Sequence, residues 1–407
     1  KIKDASFPAP FASELEYNSP VHGNWNIVHT GMQVPEAIQV YVCADNCMRG
    51  VVLTAAEMNA ADRFSFVIVE EQHVLNGNLE DITIEGVTDV LNKRGDHPKA
   101  VLLFTVCLHH FVGSNLNYIY DELERRFPDI CFIRCYMDPI MQKHGLMPDQ
   151  KLRKAMYDPL PECEPDAKTV SVFGSDFALD ESSDIKRLLR RYGYTVRELP
   201  TCETWQDLLD MRKGRLFLDI YPAGKYGMET QARRLAREHL YLPGSFDYEE
   251  IEQQLKQLTD ALGLPEVSRE ALDVERSACE EVLAKAKALI KDMPITLDYL
   301  YHPRPLGLAK LLLTHGFNVK AVYLDGISPE EKAAFDWLQE HVPELELIAT
   351  IQVKMRVLPR GGEQEELVIG QKEAYFSRSH HFVILVQGER LYGFAGIHRT
   401  AALKTEA

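Results

Sequence analysis

The sequence has a deficit of positive charge and no long apolar segment. Of its 407 residues, 61 are acidic and 45 are basic, so the formal net charge is −16. This surplus of negative charge argues against a general surface for nucleic acid or anionic lipid, because phosphates would be repelled. The longest apolar run, from Ala100 to Leu108, is far short of the ~20 residues that a membrane-spanning helix needs. We therefore predict neither nucleic acid nor membrane as a partner.

Several common targeting and catalytic motifs are also absent. The first residues contain no apolar core of a secretory signal peptide, which favours a cytoplasmic protein. The chain contains no phosphate-binding Gly-x-x-x-x-Gly-Lys-Ser/Thr loop, and no Gly-x-Gly-x-x-Gly follows a strand. It also lacks Gly-x-Ser-x-Gly and His-Glu-x-x-His. The sequence therefore gives no support to a P-loop ATPase, a common dinucleotide-binding enzyme, an α/β-hydrolase or a zinc protease.

Apolar runs of strand length alternate with segments of helical periodicity. Ala100–Val106 is a continuous apolar run, which suits a parallel strand buried on both faces. Further strands are predicted at residues 39–42, 130–135, 169–173, 194–199, 216–220, 295–301 and 318–324. Helices are predicted at residues 115–127, 184–192, 228–239, 248–262, 269–291 and 305–315. This alternation is typical of an α/β protein with parallel sheets.

The chain divides into three predicted domains. A proline-rich stretch at residues 159–165 separates the first strands from the next. Residues 188–196 (LLRRYGYTV) match residues 311–319 (LLLTHGFNV), where a helix ends, a glycine turns the chain and a strand begins. Two ordinary βα units or a repeated α/β domain would both explain this match. We predict α/β domains at residues 1–165, 166–260 and 261–407, the last including a helical connector, with ligands at the carboxyl ends of strands and between domains.

The eight cysteines are too few for a disulfide scaffold of this size, so their placement is the informative feature. Cys43 and Cys47 follow one predicted strand, and Cys107 follows another. Because the carboxyl ends of parallel strands meet at one edge of a sheet, these thiols could meet there, and thiolates are the usual ligands of iron–sulfur clusters. A radical-SAM motif fails, because the third cysteine it needs is replaced by Gly50. Spacing alone leaves buried structural cysteines as the alternative.

Several stretches resemble segments of the nitrogenase component 1 superfamily. Near the amino end they are residues 41–47 (YVCADNC), 71–79 (EQHVLNGNL) and 105–116 (TVCLHHFVGSNL), and near the other end residues 369–376 (IGQKEAYF) and 392–397 (YGFAGI). The superfamily contains nitrogenase catalytic subunits, cofactor-assembly scaffolds and reductases of tetrapyrroles. The resemblance implies three Rossmann-like domains around a central cavity. It also implies a subunit of a nitrogenase-like iron–sulfur oxidoreductase.

The resemblance further implies an iron–sulfur cluster shared by two component 1-type subunits, identical or paralogous. Cys43, Cys47 and Cys107 are the predicted ligands. Two cysteines per chain would supply four ligands and fit a 4Fe-4S cluster, whereas three would supply six and fit an 8Fe-7S cluster. The family's earlier cysteine, around residues 28–38, is missing. The implied electron donor is a separate ATP-hydrolysing iron–sulfur reductase protein.

The middle segment departs from the nitrogenases, which anchor a large metallocluster there through a cysteine. Residues 216–227 offer Tyr221 and no cysteine, so Tyr221 is predicted to contact whatever the cavity holds. His380 or His381 lies where a cofactor histidine is expected, and these are the predicted catalytic residues. Adjacent strand residues point to opposite faces, so at most one of them would face the cavity. The lost cysteine favours an organic, tetrapyrrole-like substrate or a different metallocluster over dinitrogen reduction.

Three classes of function remain. We expect an enzyme that relays low-potential electrons to a substrate or cofactor held between the domains. A non-catalytic scaffold for assembly of a nitrogenase-type metallocluster is the alternative. A metal-free regulatory or sugar-binding α/β protein is the third class, and elemental analysis for iron and sulfide would distinguish it from the other two.

Overall fold

The computed structural model describes residues 1–12, 26–137, 145–358 and 365–406. Within them the chain forms three sheets, two of four strands and one of five, and every strand pair is parallel. Parallel neighbours need crossover connections, which explains the helices between successive strands. The prediction of three parallel-sheet α/β domains is confirmed. No helix in the described part is long and apolar enough to cross a membrane.

The first sheet has the order β2-β1-β3-β4. Its strands are β1 (Ala37–Cys43), β2 (Phe64–Ile68), β3 (Ala100–Val106) and β4 (Cys131–Met137). Its helices are α1 (Ile27–Gly31), α2 (Asp45–Glu57), α3 (Glu71–Leu75), α4 (Leu79–Lys93), α5 (Cys107–Phe111), α6 (Leu116–Arg126) and α7 (Pro148–Tyr157). Every residue of β1 and β3 is buried, as expected for central strands covered on both faces.

The second sheet has the order β6-β5-β7-β8. Its strands are β5 (Asp166–Phe173), β6 (Thr195–Glu198), β7 (Gly214–Asp219) and β8 (Glu238–Tyr241), and its helices are α8 (Asp184–Arg191), α9 (Trp205–Asp210) and α10 (Lys225–Arg234). The helix predicted at residues 228–239 is wrong at its carboxyl end. The helix ends at Arg234, and His239 lies in β8, because pairing with β7 overrides the local helical pattern.

The third sheet has the order β11-β10-β9-β12-β13. Its strands are β9 (Pro294–Asp298), β10 (Asn318–Leu324), β11 (Glu346–Ala349), β12 (Leu367–Ile369) and β13 (His381–Val383). Helices α11 (Tyr248–Leu262) and α12 (Arg269–Ile290) precede it, and α13 (Pro305–Thr314), α14 (Lys332–His341), α15 (Gln371–Ser377) and α16 (Gly393–Glu406) complete it. The long helices α12 and α16 pack together.

The second sheet lies between the other two and shares a core with each of them. Val170 and Leu216 pack in one apolar cluster with Ile295 and other residues of the third sheet. Phe173 and Phe217 pack in another cluster that includes residues of the first sheet and α7. These continuous cores fix the three sheets relative to one another, so that loops from all three can form one site.

Candidate functional site

A cavity of about 1280 Å³ lies between the three sheets. The first sheet contributes α1, the later turns of α2 and the start of α7. The second and third sheets contribute the loops that follow β5, β7, β9 and β10, so the cavity lies at the carboxyl ends of these strands. This is the position at which open parallel sheets bind ligands. The central cavity expected from the family resemblance is therefore present.

Tyr221 lines this cavity from the loop after β7. Its backbone N–H donates to Oδ1 of Asp219 at 3.1 Å, which holds the turn at the end of the strand. Burial raises the pKa of Asp219 to about 8 and also raises the pKa of the Tyr221 hydroxyl. The guanidinium of Arg153 lies 5.4 Å from the centre of the Tyr221 ring. The predicted contact residue therefore reaches the cavity, supported by a buried carboxyl and a buried cation.

Arg153 on α7 joins the first and second sheets beneath the cavity wall. It is fully buried, and its Nη2 donates to Oδ1 of Asp176 at 2.5 Å. Asp176 also accepts hydrogen bonds from Gln33 and from Thr30, so α1, α7 and the loop after β5 converge on one carboxylate. Nε and Nη1 of Arg153 have no hydrogen-bond partner among the described residues. A buried ion pair of this kind specifies how the two sheets meet.

Asp149 lies one helical turn before Arg153 and lines the cavity. It is 6% exposed, and its Oδ1 accepts the backbone N–H of Gln150 at 2.8 Å. Burial raises the pKa of Asp149 to about 7, although the charge of Arg153 opposes the shift. Arg153 is already paired with Asp176, so it balances the second carboxylate only in part. The buried position of Asp149 therefore disfavours its charged form.

The third sheet supplies a second balanced group of polar residues to the cavity. Lys372 of α15 donates from Nζ to the Tyr299 hydroxyl at 2.7 Å and to Oγ1 of Thr350 at 3.1 Å. The same Nζ lies 3.7 Å from Oδ2 of Asp325. Tyr299 and Asp325 both line the cavity. A half-buried lysine therefore links three residues of this wall, whereas a fully buried arginine, Arg153, links those of the opposite wall.

The three predicted cluster cysteines lie at the carboxyl edge of the first sheet but differ in exposure. Cys43 is the last residue of β1 and is fully buried in the apolar core. Burial, with the nearby thiol of Cys47, raises the pKa of Cys43 to about 12. Cys47 lies in the first turn of α2 and is exposed, and burial of part of its side chain raises its thiol pKa. Cys107 is nearly buried as the first residue of α5.

The register of the sheet brings these positions together in the backbone. Tyr41 of β1 pairs with Phe104 of β3, so two residues further on Cys43 lies beside Val106, and Cys107 follows directly. Neighbouring strands are about 4.8 Å apart. In the described part of this single chain, no three His, Cys, Asp or Glu side chains are grouped so that they could hold a metal ion. The cysteines therefore share an edge without forming a complete site in one subunit.

His109 holds the turn that presents Cys107. It is fully buried; its Nδ1 accepts the backbone N–H of Val106 at 3.2 Å, and its Nε2 lies 3.2 Å from Oγ1 of Thr83. Since Nδ1 accepts, Nε2 carries the proton and donates to Thr83. Burial lowers the pKa of His109 to about 4, so the ring stays neutral at physiological pH. His110 instead stacks on Tyr136 of β4, with ring centres 5.9 Å apart.

The two predicted catalytic histidines lie at the edge of the third sheet that β13 forms. His381 begins the edge strand β13 and is half-buried, and His380 precedes it and is exposed. Neither is among the described residues that line the cavity. Within the described part, the histidine in the cavity wall is His29, whose Nδ1 donates to Oδ1 of Asn26 at 2.6 Å.

Sequence reasoning missed most of the polar residues that line or support the cavity. Asp176 and Asp325 follow the buried strands β5 and β10 closely, and an acidic residue just after a buried strand was the available signal. Asp149 and Arg153 are four residues apart on a helix, which by itself is typical of a solvated surface. Only the packing of α7 against the second sheet brings that face of the helix inside.

Comparisons with known proteins support one family. Two structures described as nitrogenase Cp1, one at pH 6.5 and one at pH 5, share this fold, each at 12% sequence identity. The first has a TM-score of 0.68 over 97% of this chain and 94% of that chain, and the second a TM-score of 0.59 over 92% and 86%. Curated proteins give no match. The sequence model of the nitrogenase component 1 type oxidoreductases matches residues 53–404, which include Cys107 and begin after Cys47. The chain therefore belongs to the nitrogenase component 1 type oxidoreductase family.

Proposed function

We propose that this chain is the substrate-holding subunit of a nitrogenase-like iron–sulfur oxidoreductase. It would pair with a second component 1-type subunit, a copy of itself or a paralogue. A shared iron–sulfur cluster would supply low-potential electrons, delivered by a separate ATP-hydrolysing reductase protein. The substrate would occupy the central cavity. Family membership supports the reaction class. Further support comes from the central cavity, from helix α2, and from the carboxyl edge of the first sheet that carries Cys43, Cys47 and Cys107, which we call the cysteine edge.

Helix α2 is the observation that carries this proposal. Cys47 lies in its first turn at the cysteine edge, and Gly50, Leu53 and Glu57 along the same helix line the cavity. Cys47 and Gly50 are three residues apart, which corresponds to about 4.5 Å of helical rise. An electron that enters at Cys47 therefore has a short route to a molecule in the cavity.

The surface beside the cysteines is suited to pairing with another subunit. Four apolar residues at the carboxyl edge of the first sheet are solvent-exposed, and we call them the edge patch: Ile68, Leu75, Phe111 and Val112. Leu75 is 77% exposed and Phe111 is 58% exposed. Large apolar side chains exposed at one edge of a sheet are suited to burial in a protein–protein interface. A partner subunit that covers the edge patch would also cover Cys47, and it would bring its own cysteines to the same interface.

The cysteine geometry favours two ligands from each chain. Cys47 is exposed and Cys107 is 9% exposed, and we propose that both contact the interface with the second subunit. Cys43 is enclosed by apolar side chains, and its raised pKa makes the thiolate costly before any metal binds. We therefore propose Cys47 and Cys107 as the ligands, which gives four thiolates for each pair of chains and a 4Fe-4S cluster.

The cavity favours an organic substrate over a bound metallocluster. No cysteine is found among the described residues that line it, so a cluster precursor would lack a thiolate anchor. This argues against the assembly scaffold as well as against a nitrogenase-type cofactor. His29 is the histidine placed to move protons there. Because its Nδ1 donates to Asn26, its Nε2 is the atom that would exchange a proton with the substrate.

Iron analysis of serine variants tests this proposal. We expect anaerobically purified protein to carry about four iron atoms for each pair of chains. Cys47→Ser and Cys107→Ser should each lose most of that iron and its electron paramagnetic resonance signal after reduction. Cys131→Ser is the matched control, since Cys131 begins β4 at the opposite edge of the same sheet. Full iron in Cys47→Ser, or none in the unaltered protein, would refute the assignment.

Cys43→Ser separates the two cluster types. With two ligands per chain, this variant should keep its iron and show only a loss of stability from a polar atom in the core. Loss of iron together with about eight iron atoms in the unaltered pair would instead establish three ligands per chain.

A further inference from the structure

The wall of the central cavity carries more negative than positive charge. Among the described residues that line it are six carboxylates and one lysine, Lys225, but no arginine. The carboxylates are Glu57, Asp149, Asp176, Glu229, Asp325 and Glu330. Burial lowers the pKa of the one lining histidine, His29, so it adds no full positive charge near neutral pH.

Only some of this negative charge is balanced within the protein. Asp176 is paired with Arg153, and Asp325 lies 3.7 Å from Lys372. Lys225 lies over the ring of Tyr241, 4.6 Å from its centre. The Tyr241 hydroxyl donates to Oε1 of Glu330, while Oε2 of Glu330 has no hydrogen-bond partner among the described residues. After these contacts Glu57, Asp149 and Glu229 remain as lining carboxyl groups that form no salt bridge among the described residues.

Asp149 is the most deeply placed of the carboxylates without an ion pair. It is 6% exposed, and it lines the cavity. Its Oδ1 accepts the Gln150 N–H, and no ion pair joins it to a cation among the described residues. A carboxylate kept in such a place costs free energy unless a partner arrives, because burial disfavours its charged form. Asp149 is therefore a buried carboxyl group in the cavity wall that has no salt-bridge partner among the described residues.

The rest of the wall indicates what kind of cation would fit. The described carboxylates do not converge on a point where they could hold a metal ion. They are spread around a cavity whose volume exceeds that of typical small-molecule pockets. Phe177, Tyr221 and Tyr226 add aromatic surface, which attracts organic cations through the faces of the rings. Spread carboxylates and aromatic faces suit an extended molecule better than a small ion.

We propose that the cavity binds an organic cation, an amine, amidine or quaternary nitrogen on an apolar or aromatic body, and that Asp149 pairs with its positive group. This rests on the proposed function for the place where the substrate binds, and it adds the substrate's charge class. Phosphorylated molecules and tetrapyrroles with many carboxylates are disfavoured, because the wall would repel them.

A set of ligands with one ring skeleton and three charges tests the inference. The probes are N,N′-dimethyl-4,4′-bipyridinium (a dication), 4,4′-bipyridine (neutral) and biphenyl-4,4′-disulfonate (a dianion), titrated into the purified full chain by calorimetry at ~0.15 M salt. We expect the dication to bind with one site per chain, the neutral molecule to bind more weakly, and the dianion not to bind. A dianion that binds as tightly as the dication, or a dication that does not bind, overturns the inference.

Two variants locate the binding. Asp149→Asn keeps the shape and the hydrogen bond from Gln150, and it should raise the Kd of the dication at least about tenfold. Asp129→Asn removes one negative charge from an exposed turn between α6 and β4, away from the cavity, and should change the Kd by less than about twofold. Equal affinity in Asp149→Asn and the unaltered protein refutes the assignment. Should Asp149→Asn fail to fold, Glu229→Gln tests the same wall from α10.

This experiment fails independently of the proposed function, because it needs neither iron nor reductant nor ATP. If the dication binds to protein that carries no iron, the inference is supported and the proposed electron-transfer role is refuted. Iron at the cysteine edge without binding of the dication would leave that role standing and remove the inference alone.

Discussion

The cysteine edge of the first sheet and the central cavity are joined by one helix, yet they differ in the chemical nature of their side chains. The edge presents thiols among exposed apolar residues, such as Phe111 beside Cys107. The cavity wall has carboxylates and aromatic rings and, in the described part, no thiol. The edge is incomplete in one chain, whereas the cavity is lined by residues from all three domains of the same chain. The contrast separates a surface suited to a partner subunit from an interior suited to a small molecule.

The two regions also differ in how they are stabilised. The edge depends on neutral contacts, with His109 satisfying the backbone before Cys107. The cavity wall depends on buried ion pairs, above all Arg153 with Asp176. Breaking a buried ion pair costs folding free energy, because removal of one partner leaves the charge of the other uncompensated. Substitutions that break these buried ion pairs should therefore affect the whole fold, while those at the edge should affect association.

The largest expected effect comes from Arg153→Leu. This change leaves Asp176 without its cation and loosens the junction of α1, α7 and the second sheet, so we expect the free energy of unfolding to fall by about 3–5 kcal/mol. Urea unfolding followed by tryptophan fluorescence measures it. Lys154→Met, at the next residue, removes only a more exposed pair with Asp158 and should cost less than about 1 kcal/mol. Equal losses in the two variants would show that the buried pair does not hold the wall.

Phe111→Asp should have the next largest effect, on association rather than folding. A charge at this position of the edge patch would be buried by the partner subunit, so we expect the dissociation constant of the pair to rise about a hundredfold. Analytical ultracentrifugation of the purified pair measures this. Val274→Asp places the same charge on an exposed position of α12 and should leave the pair intact. An unchanged dissociation constant in Phe111→Asp would place the interface elsewhere.

The third expected effect is a pH-dependent gain of stability in Asp149→Asn. The folded pKa of Asp149, about 7, lies above the ordinary value near 3.8, so the folded state holds a proton that the unfolded state has released between these values. The contribution of Asp149 to stability therefore falls as the pH rises from about 4 to about 7. Near pH 8 the variant should be more stable by a margin on the order of a few kcal/mol, and near pH 4 the difference should nearly vanish. Thermal unfolding at both pH values checks this against Asp129→Asn, for which we expect no such dependence.

Much of the fold was predictable from local pattern. The strand at Ala100–Val106 and the helix at Tyr248–Leu262 have the bounds expected from their apolar runs and periodicity. Both ends of α8 were also predictable. Ser183 accepts the Lys186 N–H at the start of the helix, and Gly193 adopts a φ of +72° after its end. By contrast, β11, β12 and β13 are only three or four residues long, and pairing with neighbouring strands, rather than any local pattern, defines them.

The candidate site was predictable only in part. Tyr221 was found because it stands where the family has a cysteine, and it does line the cavity. The ligand roles of Cys43, Cys47 and Cys107 and the catalytic roles of His380 and His381 stay predictions. The structure places the cysteines at one edge and both histidines outside the described cavity wall. Residue type and spacing do not indicate which side chains of a loop face the cavity, because the cavity is formed by sheets that are distant in the sequence.

The sequence by itself determined the class of fold, because alternating apolar runs and capped helices are encoded within short windows of the chain. It also determined the family, through segments near both ends. The tertiary structure alone decided that Asp149 and Arg153 lie inside, that Cys43 is enclosed while Cys47 is exposed, and that α2 joins the two regions. Burial and charge balance depend on residues that are more than a hundred positions apart, such as Thr30 and Asp176. Only packing of the three sheets brings such residues together.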